Sequence, residues 1–226
     1  MVSVVIPALD EELALPATLA SLFNQPGDHE VILVDGGSAD RTVAIADEAA
    51  ARDPRLRVLR ADRGRARQQN AGAAAAVGEW LLFLHADTVL PPTGLQQIAS
   101  QPEKVKAGCF RHRFSGPGAM LATLSWFLNR RFFVTRVIYG DQGMFIRRQL
   151  FLDLGGFPDR DMEDIAFGLR LRSVTTPVMV AETVTTGSRK FEQMGKWRAL
   201  YRAVSLLIRF RLGADVSGDE FFGDYR

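Results

Sequence analysis

Short runs of β-branched and apolar residues alternate with helix-like segments through the first ninety residues, and this alternation constrains the fold more than any other feature. The apolar runs predict strands at residues 2–8, 30–35, 56–59 and 80–85. The helix-like segments are residues 11–24, a stretch that ends near residue 52, and residues 68–77. Such an order predicts right-handed crossovers and an α/β fold, with a mostly parallel sheet flanked by helices. Unbroken apolar runs such as VILV agree, because parallel strands are covered on both faces.

The second half of the chain is less regular. Its residue pattern predicts strands at residues 107–114 and 178–186. Helices are predicted at residues 118–133, 147–154, 161–171 and 190–212, and the last of these is basic and amphipathic. No repeat, linker or change of composition divides the 226 residues, so we expect a single domain.

Composition excludes several classes of protein. Apolar residues make up 47% of the chain and charged residues 24%, as in ordinary soluble globular proteins. The single cysteine, Cys109, excludes an intramolecular disulfide and a multi-cysteine zinc site, and it fits a reducing compartment. Residues 1–12 lack the pattern of a signal peptide, and the longest uncharged stretch is broken by Gly116-Pro117-Gly118. We therefore expect a cytoplasmic protein without a membrane-spanning helix.

The net charge of +2 conceals two basic clusters, at residues 55–67 and 189–211. Arginine clusters attract the phosphates of nucleotides, nucleic acids or lipid head groups, although a solvated surface is the simpler interpretation. We expect no nucleic-acid partner, because no recognition motif accompanies the basic residues.

Polar residues and glycines follow each predicted strand of the first half. These segments are residues 7–11, 35–38, 62–65 and 85–87. Ligands of open parallel sheets bind at the carboxyl ends of the strands, so the sequence predicts a ligand site at this edge, with Asp87 on it.

The residues at this edge narrow the choice of ligand. A dinucleotide-binding protein would carry a glycine-rich turn after the first strand, where this chain has Pro-Ala-Leu-Asp-Glu-Glu, and no Walker lysine loop follows any strand. Without a glycine-rich loop to bind phosphates directly, a carboxylate at this edge indicates that the phosphates are held through a divalent cation. Mg²⁺ and Mn²⁺ prefer oxygen ligands and often take only one or two carboxylates plus substrate phosphates.

Six ordered motifs add a family resemblance. They are VVIPALDEE, VDGGSAD, GRARQQNAGA, FLHAD, YGDQGMFIRR and LGGFPDRDMED. Together they resemble the family 2 glycosyltransferases, which have the GT-A fold, and in particular a small bacterial subgroup without transmembrane helices. The resemblance implies an inverting, metal-dependent transfer of sugar from a nucleoside-diphosphate sugar to an acceptor hydroxyl, lipid-linked or on a small molecule. Residues 1–90 would then form a nucleotide-binding half, residues 91–188 an acceptor-side half and residues 189–226 a basic helical tail.

The same resemblance implies roles for individual residues. Nucleotide-sugar binding would fall to Pro7, Ala8, Asp10, Glu11, Asp35, Gly37, Arg65, Asn70, Gly72, Ala86 and Asp87. The pocket for the acceptor and donor sugar would include Gly140, Asp141, Gln142 and Arg189. Asp87 keeps the metal-binding place of the family's Asp-x-Asp, and His85 replaces the first aspartate. Asp164 would be the general base, beside Glu163.

Simpler interpretations compete at several of these positions. Asp87 can cap a turn, and acidic residues such as Glu163 and Asp164 are favoured in the first turn of any helix. Asp35 is harder to explain structurally, because a carboxylate that closes an apolar strand costs desolvation unless something binds it.

For the whole chain, the alternatives are a sugar-phosphate nucleotidyltransferase and a non-catalytic nucleotide-sugar-binding or membrane scaffold protein. The first should carry a basic glycine-rich loop after the first strand, where this chain is acidic. Retention of both Asp87 and Asp164 speaks against the second.

The C-terminal segment has an apolar face at helical spacing. Its members are Phe191, Met194, Trp197, Leu200, Tyr201, Val204, Leu207 and Ile208. This face either packs over the sheet or makes a peripheral contact with an anionic membrane, for which basic amphipathic helices are suited. Four aromatic residues would add a second membrane contact or form a lipid-acceptor groove, and these are Trp126, Phe127, Phe132 and Phe133.

Overall fold

A computed structural model of the chain describes residues 1–211, without the side chains of Lys190, Lys196, Ala203, Leu207 and Arg211. The strands are β1 (Val2–Ala8), β2 (His29–Asp35), β3 (Leu56–Arg60), β4 (Trp80–Phe83), β5 (Thr88–Val89), β6 (Ala107–Phe114), β7 (Met144–Arg147) and β8 (Val178–Thr186). The helices are α1 (Leu15–Phe23), α2 (Thr42–Arg52), α3 (Arg65–Ala75), α4 (Gly94–Ala99), α5 (Ala119–Thr135), α6 (Arg148–Asp153), α7 (Glu163–Val174), α8 (Arg189–Met194) and α9 (Lys196–Arg211). A short 3-10 helix, Gly140–Gln142, precedes β7. The predicted tail extends to residue 226, so its last fifteen residues lie outside the described part.

The strands form one eight-stranded sheet in the order β3-β2-β1-β4-β7-β6-β8-β5. As predicted, β1 to β4 pair in parallel. Beyond β4 the sheet is mixed, because β7 runs antiparallel to both of its neighbours, whereas β6 and β8 are parallel. The prediction of an α/β fold with a helix-flanked sheet is confirmed.

Two apolar layers cover the sheet, one on each face. Along β1, Val4 and Ile6 belong to one layer and Val5 to the other, as the two-residue period of a strand requires. Each of these side chains is fully buried, which stabilises the fold by roughly 1.5–3 kcal/mol per side chain. The unbroken apolar run in the sequence therefore reflects burial on both faces.

The central antiparallel strand β7 is absent from the sequence prediction, which has only a helix at residues 147–154. The run Met-Phe-Ile-Arg is four residues long, and its periodicity cannot separate a buried strand from the start of a helix. In the structure α6 begins at Arg148, directly after the strand.

The C-terminal segment is two helices rather than one. Gly195, with φ of 85°, separates α8 from α9. On α9, Ala199 and Leu206 are buried, whereas Trp197 and Tyr201 are each 75% exposed. Of the two alternatives given for the apolar face, packing on the core therefore does not apply to Trp197 and Tyr201, and Leu207 lies outside the described side chains. No helix in the described part of the chain is long and apolar enough to cross a bilayer.

Candidate functional site

A narrow cleft lies at the carboxyl ends of β1 and β4, and we call it the rim cleft. Its volume is about 20 Å³. The lining residues include Pro7, Ala8, Glu11, Arg65, His85 and Asp87. Strand register places Ala8 opposite Asp35 and Val5 opposite Phe83, so the ends of β1, β2 and β4 lie side by side. The cleft is therefore at the sheet edge that the sequence predicts.

Gln68 joins two strand ends beside the rim cleft. From α3, its side-chain amide donates hydrogen bonds to the carbonyl oxygens of Ala8 and Val34, both at 2.8 Å. Gln68 also lines the cleft and is 3% exposed. Sequence reasoning misses this residue, although a glutamine on the buried face of an alanine-rich helix is a signal that could reveal it.

Asp87 stands on a tight turn between β4 and β5. The amide of Thr88 donates to the carbonyl of His85 at 3.0 Å, which closes the turn. The hydroxyl of Thr18 on α1 donates to the carbonyl of Ala86 at 2.7 Å, which holds the turn to the helix layer. The position of Asp87 is thus fixed by backbone contacts on two sides.

The carboxylate of Asp87 has few protein donors. Thr88 Oγ1 lies 3.4 Å from Asp87 Oδ1. A Cβ atom on Gly187, just after β8, would lie 2.6 Å from Asp87 Oδ2, so a larger residue there would displace the carboxylate. Burial raises the pKa of Asp87, and the charge of Arg189 partly opposes this effect. The carboxylate is therefore a buried acceptor that a cation would stabilise.

Glu11 is the second carboxylate of the rim cleft. It is 7% exposed, and its side chain pairs with the guanidinium of Arg189 at the start of α8. Burial raises the pKa of Glu11 to about 7, and the nearby charge of Asp87 adds to the rise. The ion pair connects the loop after β1 with the segment after β8.

The oxygen donors of the rim cleft fit a hard divalent cation. No group of three or more His, Cys, Asp or Glu side chains within residues 1–211 is placed to hold a metal ion unaided. Mg²⁺ and Mn²⁺ do not need such a group when substrate phosphates supply further oxygens. A cation at Asp87 would also relieve the repulsion that raises the pKa of Glu11. The residues present therefore fit an ion that arrives with a diphosphate.

A second, larger space lies between α5, α7 and α9, and we call it the apolar cavity. Its volume is about 290 Å³. Leu124, Phe127 and Leu128 line it from α5, and Leu200 and Val204 from α9. Its polar lining is grouped at Arg65, His85, Arg131, Tyr139, Gly140, Asp141 and Asp164. The cavity therefore combines an apolar body with a small set of chemically active groups.

Asp164, in the first turn of α7, lines the apolar cavity. The backbone amide of Gly140 donates to Asp164 Oδ2 at 2.6 Å and fixes the carboxylate. Burial raises the pKa of Asp164 to about 6, and the neighbouring charge of Glu163 contributes to the rise. The group is still ionised at neutral pH but takes a proton more readily than an exposed aspartate.

Glu163 lies behind Asp164 and has its own partner. It is 3% exposed and pairs with Arg65, whose Nη2 lies 3.3 Å from Glu163 Oε2. Neither space is lined by Glu163, so the structure does not support the prediction that it acts directly in catalysis. Its carboxylate instead positions Arg65 and influences the pKa of Asp164.

Arg65 and His85 line both the rim cleft and the apolar cavity. A Cβ atom on Gly140 would lie 2.9 Å from His85 Nε2 and 3.3 Å from Asp164 Oδ2. The imidazole and the carboxylate therefore meet at Gly140. Burial lowers the pKa of His85 to about 4, helped by the charge of Arg65, so the ring is neutral at neutral pH. The sequence points to His85 only as a departure from the family motif.

Three residues predicted to bind the nucleotide lie where β1 and β2 end, and their polar groups make hydrogen bonds within the protein. The carboxylate of Asp35 accepts hydrogen bonds from the amides of Gly37 and Ser38 at 3.0 and 3.1 Å. Asp10 accepts from the amide of Ala39 at 2.7 Å. None of Asp10, Asp35 and Gly37 lines the rim cleft. The partner that the sequence requires for Asp35 is thus the backbone that follows it.

Asn70 and Gly72, also predicted to bind the nucleotide, pack inside the protein. The side chain of Asn70 exchanges two hydrogen bonds with the backbone of Phe157, at 2.8 and 2.9 Å. Gly72 brings α3 against the sheet, where a Cβ atom would collide with Val5. Neither residue lines the rim cleft, and both instead hold α3 in place.

Gln142 is likewise removed from the predicted acceptor pocket. It is fully buried, and its Oε1 accepts hydrogen bonds from Arg131 and from the amide of Tyr139, both at 3.1 Å. Its neighbours Gly140 and Asp141 do line the apolar cavity. Gln142 therefore supports the 3-10 turn that presents them.

The aromatic residues of α5 do not act as one group. Phe132 is fully buried in the core, whereas Trp126 and Phe133 are 59% and 54% exposed. Phe127 is 56% exposed and also lines the apolar cavity. Only Phe127 among the four is therefore placed in the groove that the sequence suggests.

Sequence and structure comparisons agree on the family. Residues 3–151 match the model of glycosyl transferase family 2. A PGL/p-HBAD biosynthesis glycosyltransferase of Mycobacterium bovis (strain BCG / Pasteur 1173P2) is 31% identical over 207 residues, which cover 86% of this chain and 78% of that protein.

Solved structures of glycosyltransferases share the fold. Residues 1–349 of S. aureus TarS superpose with a TM-score of 0.67 at 20% identity, covering 88% of this chain but only 64% of that one, less than two thirds. The mannosyltransferase PcManGT from Pyrobaculum calidifontis, in complex with GDP-Man and Mn²⁺, gives a TM-score of 0.63 at 19% identity, covering 98% and 66%. These likenesses confirm the GT-A fold. Because the family model matches more than half of the residues, the chain belongs to glycosyl transferase family 2 and is a glycosyltransferase.

Proposed function

We propose that the chain transfers a sugar from a nucleoside-diphosphate sugar to an acceptor hydroxyl, with inversion at C1 and with a divalent cation. The observation that carries this proposal is the shared wall of the two spaces. Asp87 lines the rim cleft and Asp164 lines the apolar cavity, and Arg65 and His85 line both. Asp87 is placed to hold a cation that binds the diphosphate, and Asp164 is placed to meet the acceptor hydroxyl. Complexes of TarS with UDP-GlcNAc and of PcManGT with GDP-Man support this class of donor.

Asp164 acts as the general base in this reaction. The acceptor oxygen forms a bond to C1 while the bond from C1 to the diphosphate oxygen breaks, and that electron pair leaves with the nucleoside diphosphate. The hydroxyl proton passes to Asp164. Attack on the face opposite the leaving group inverts C1. A positioned base of this kind contributes about 10²- to 10⁴-fold to the rate.

The rim cleft holds the diphosphate. Asp87 would hold Mg²⁺ or Mn²⁺, and the bound ion supplies Lewis-acid stabilisation of the charge on the leaving diphosphate. Arg189 pairs with Glu11, which lines this cleft, so its guanidinium is available at the edge of the cleft to bind the phosphates.

A thermal-shift panel tests the donor class. UDP, GDP and dTDP sugars are each added with Mn²⁺ or with EDTA. A donor at 100 times its Kd should stabilise the fold by about 2.7 kcal/mol. For a chain of this length, that corresponds to a rise in melting temperature of roughly 5–11 °C. No shift with any sugar nucleotide in Mn²⁺ would contradict the proposal, and nucleoside triphosphates with sugar 1-phosphates serve as the control for a nucleotidyltransferase.

The pH dependence of turnover follows from Asp164. The base must be ionised, and burial raises its pKa to about 6. At saturating donor, kcat should therefore rise about tenfold per pH unit below 6 and level off above about 7. Glu11→Gln should keep this acid limb, which separates Asp164 from the other raised carboxylate. A profile that is flat between pH 5 and 7 in the wild type would contradict the assignment.

We also propose a peripheral contact with anionic membrane through α9. Trp197, Tyr201, Val204 and Ile208 form one stripe at helical spacing, and each is at least 47% exposed. Tryptophan and tyrosine suit the boundary between water and lipid. The helix has no acidic residue, while Arg198 and Arg209 lie among its basic ones. Charge and exposed aromatic residues therefore both favour an anionic lipid surface.

Vesicle flotation tests this contact. The wild type should float with vesicles that contain phosphatidylglycerol at low salt, and less in 0.5 M NaCl because the charges are screened. Trp197→Ser with Tyr201→Ser should lower the bound fraction several-fold. Leu13→Ser with Val77→Ser is the matched control, since Leu13 and Val77 are 78% and 69% exposed on other surfaces. Equal loss in both double variants, or no binding by the wild type, would contradict the contact.

A further inference from the structure

We infer that the acceptor is a hydrophobic alcohol or phenol, whose apolar body occupies the apolar cavity while its hydroxyl meets Asp164. This inference rests on the proposed function, because it names the class of molecule that this site takes. Its basis is the distribution of polar and apolar groups around the cavity, which is uneven from one end to the other.

The walls of the cavity provide almost no hydrogen-bonding groups. Apart from Arg131 on α5, the side chains of β6, α5, α8 and α9 that line it are apolar, including Phe114, Leu124, Leu128, Phe191 and Leu200. A sugar or another polyol bound along these walls would lose hydrogen bonds to water without replacement, at roughly 1–3 kcal/mol for each group. The described walls therefore favour an apolar body and disfavour a carbohydrate.

The polar groups cluster where the cavity meets the rim cleft. Arg65 and His85 line both spaces there, and His85 and Asp164 each lie beside Gly140. A ligand that lies along the apolar walls can place a single hydroxyl at this end. Its oxygen would form the bond to C1, and its proton would pass to Asp164, as in the proposed reaction. The arrangement suits a molecule with one reactive hydroxyl at the end of an apolar body.

The size and opening of the cavity suit such a body. Its volume of about 290 Å³ is near twice the ~150 Å³ of an apolar cavity that holds benzene. Phe127 and Val204 line the cavity and are also 56% and 47% exposed, so its walls continue onto the surface. Val204 belongs to the exposed stripe of α9. A longer apolar chain would therefore leave the cavity beside the surface that we propose to contact lipid.

Calorimetry with a series of phenols tests the inference without any donor. Phenol, 4-propylphenol and 4-hexylphenol are titrated below the concentrations at which they aggregate. Burial of each added methylene should lower Kd about three- to fourfold. Absence of this dependence on chain length would overturn the inference. Because no sugar nucleotide is present, this result does not depend on whether the proposed transfer occurs.

A matched pair of variants locates the binding. Phe127→Glu puts a charge at the lining of the cavity, whereas Trp126→Glu puts the same charge on the adjacent residue, which is 59% exposed and does not line it. We expect 4-hexylphenol to bind at least tenfold more weakly to Phe127→Glu and unchanged to Trp126→Glu. Phe127→Ala, which adds no charge, should give an intermediate loss. Equal losses in the two charged variants would indicate adsorption elsewhere and would overturn the inference.

Product analysis connects binding to transfer. With the sugar nucleotide selected by the thermal-shift panel, mass spectrometry should detect glycosylated 4-hexylphenol at a higher kcat/KM than any product from glycerol or free glucose. Transfer only to the two polar acceptors would overturn the inference while leaving the glycosyl transfer itself intact. Sugar-nucleotide binding without transfer to any acceptor would instead contradict the proposed function.

Discussion

Asp164→Asn is expected to lower turnover by about 10²- to 10⁴-fold and to leave sugar-nucleotide binding unchanged. Asparagine keeps the shape of the side chain, and its carbonyl oxygen can still accept the hydrogen bond from Gly140. It cannot take the proton of the acceptor hydroxyl at neutral pH. The rim cleft, where the donor diphosphate is proposed to bind, does not include Asp164. Kd for the donor and kcat, measured on the same preparation, separate these two effects.

Stability distinguishes loss of the base from loss of the fold. Burial raises the pKa of Asp164 to about 6, so the ionised carboxylate destabilises the folded state at pH 8 relative to a neutral amide. The Asn variant should therefore melt at the same temperature as the wild type or higher. Asp153→Asn, an exposed change on α6, is the matched control and should leave both kcat and melting temperature near wild type. Wild-type turnover by Asp164→Asn would show that another group takes the proton.

The sequence predicts the first four strands and the sheet edge at their carboxyl ends, because β1, β2 and β4 are buried on both faces and therefore need unbroken apolar runs. The register of Ala8 against Asp35 then follows from the parallel order, which brings the strand ends to one edge. Polar residues at those ends are correctly predicted as a group. The sequence does not show which of them face a ligand, because Asp35 and Asp10 both bind backbone amides of the loop after β2.

The site residues in the second half of the chain are predicted less well, for a different physical reason. Asp164 is remote in sequence from Arg65 and His85, and the packing of α7 on one face of the sheet brings it to the same apolar cavity. Residues such as Gln142 and Asn70 carry polar groups that satisfy backbone partners, and no local pattern separates them from residues that bind ligands. The sequence also does not predict the apolar cavity, because the residues of its walls are of the same types as those of the core.

Asp87→Asn is expected to abolish the effect of Mn²⁺ on donor binding and to lower kcat/KM by about 10²-fold or more. The loss follows from the Lewis-acid contribution, which is worth several kcal/mol, with about 1.4 kcal/mol for each factor of ten. Asparagine fits the space, which matters because Gly187 packs closely against this side chain. Its amide is a weaker ligand for a hard cation than a carboxylate. The change should therefore remove the metal contribution without disturbing the turn.

Glu11→Gln provides the comparison within the same cleft, because Glu11 and Asp87 are the two carboxylates that line it among the described residues. Without the negative charge of Glu11, Arg189 loses its ion pair with that residue and is more readily drawn to the diphosphate. Glu11→Gln should thus retain the rise in melting temperature that Mn²⁺ adds to a sugar nucleotide, whereas Asp87→Asn should lose it. The reverse result would move the metal site to Glu11. If both variants retained the rise in melting temperature that Mn²⁺ adds, neither carboxylate would hold the ion. Removal of a metal ligand weakens metal-dependent binding.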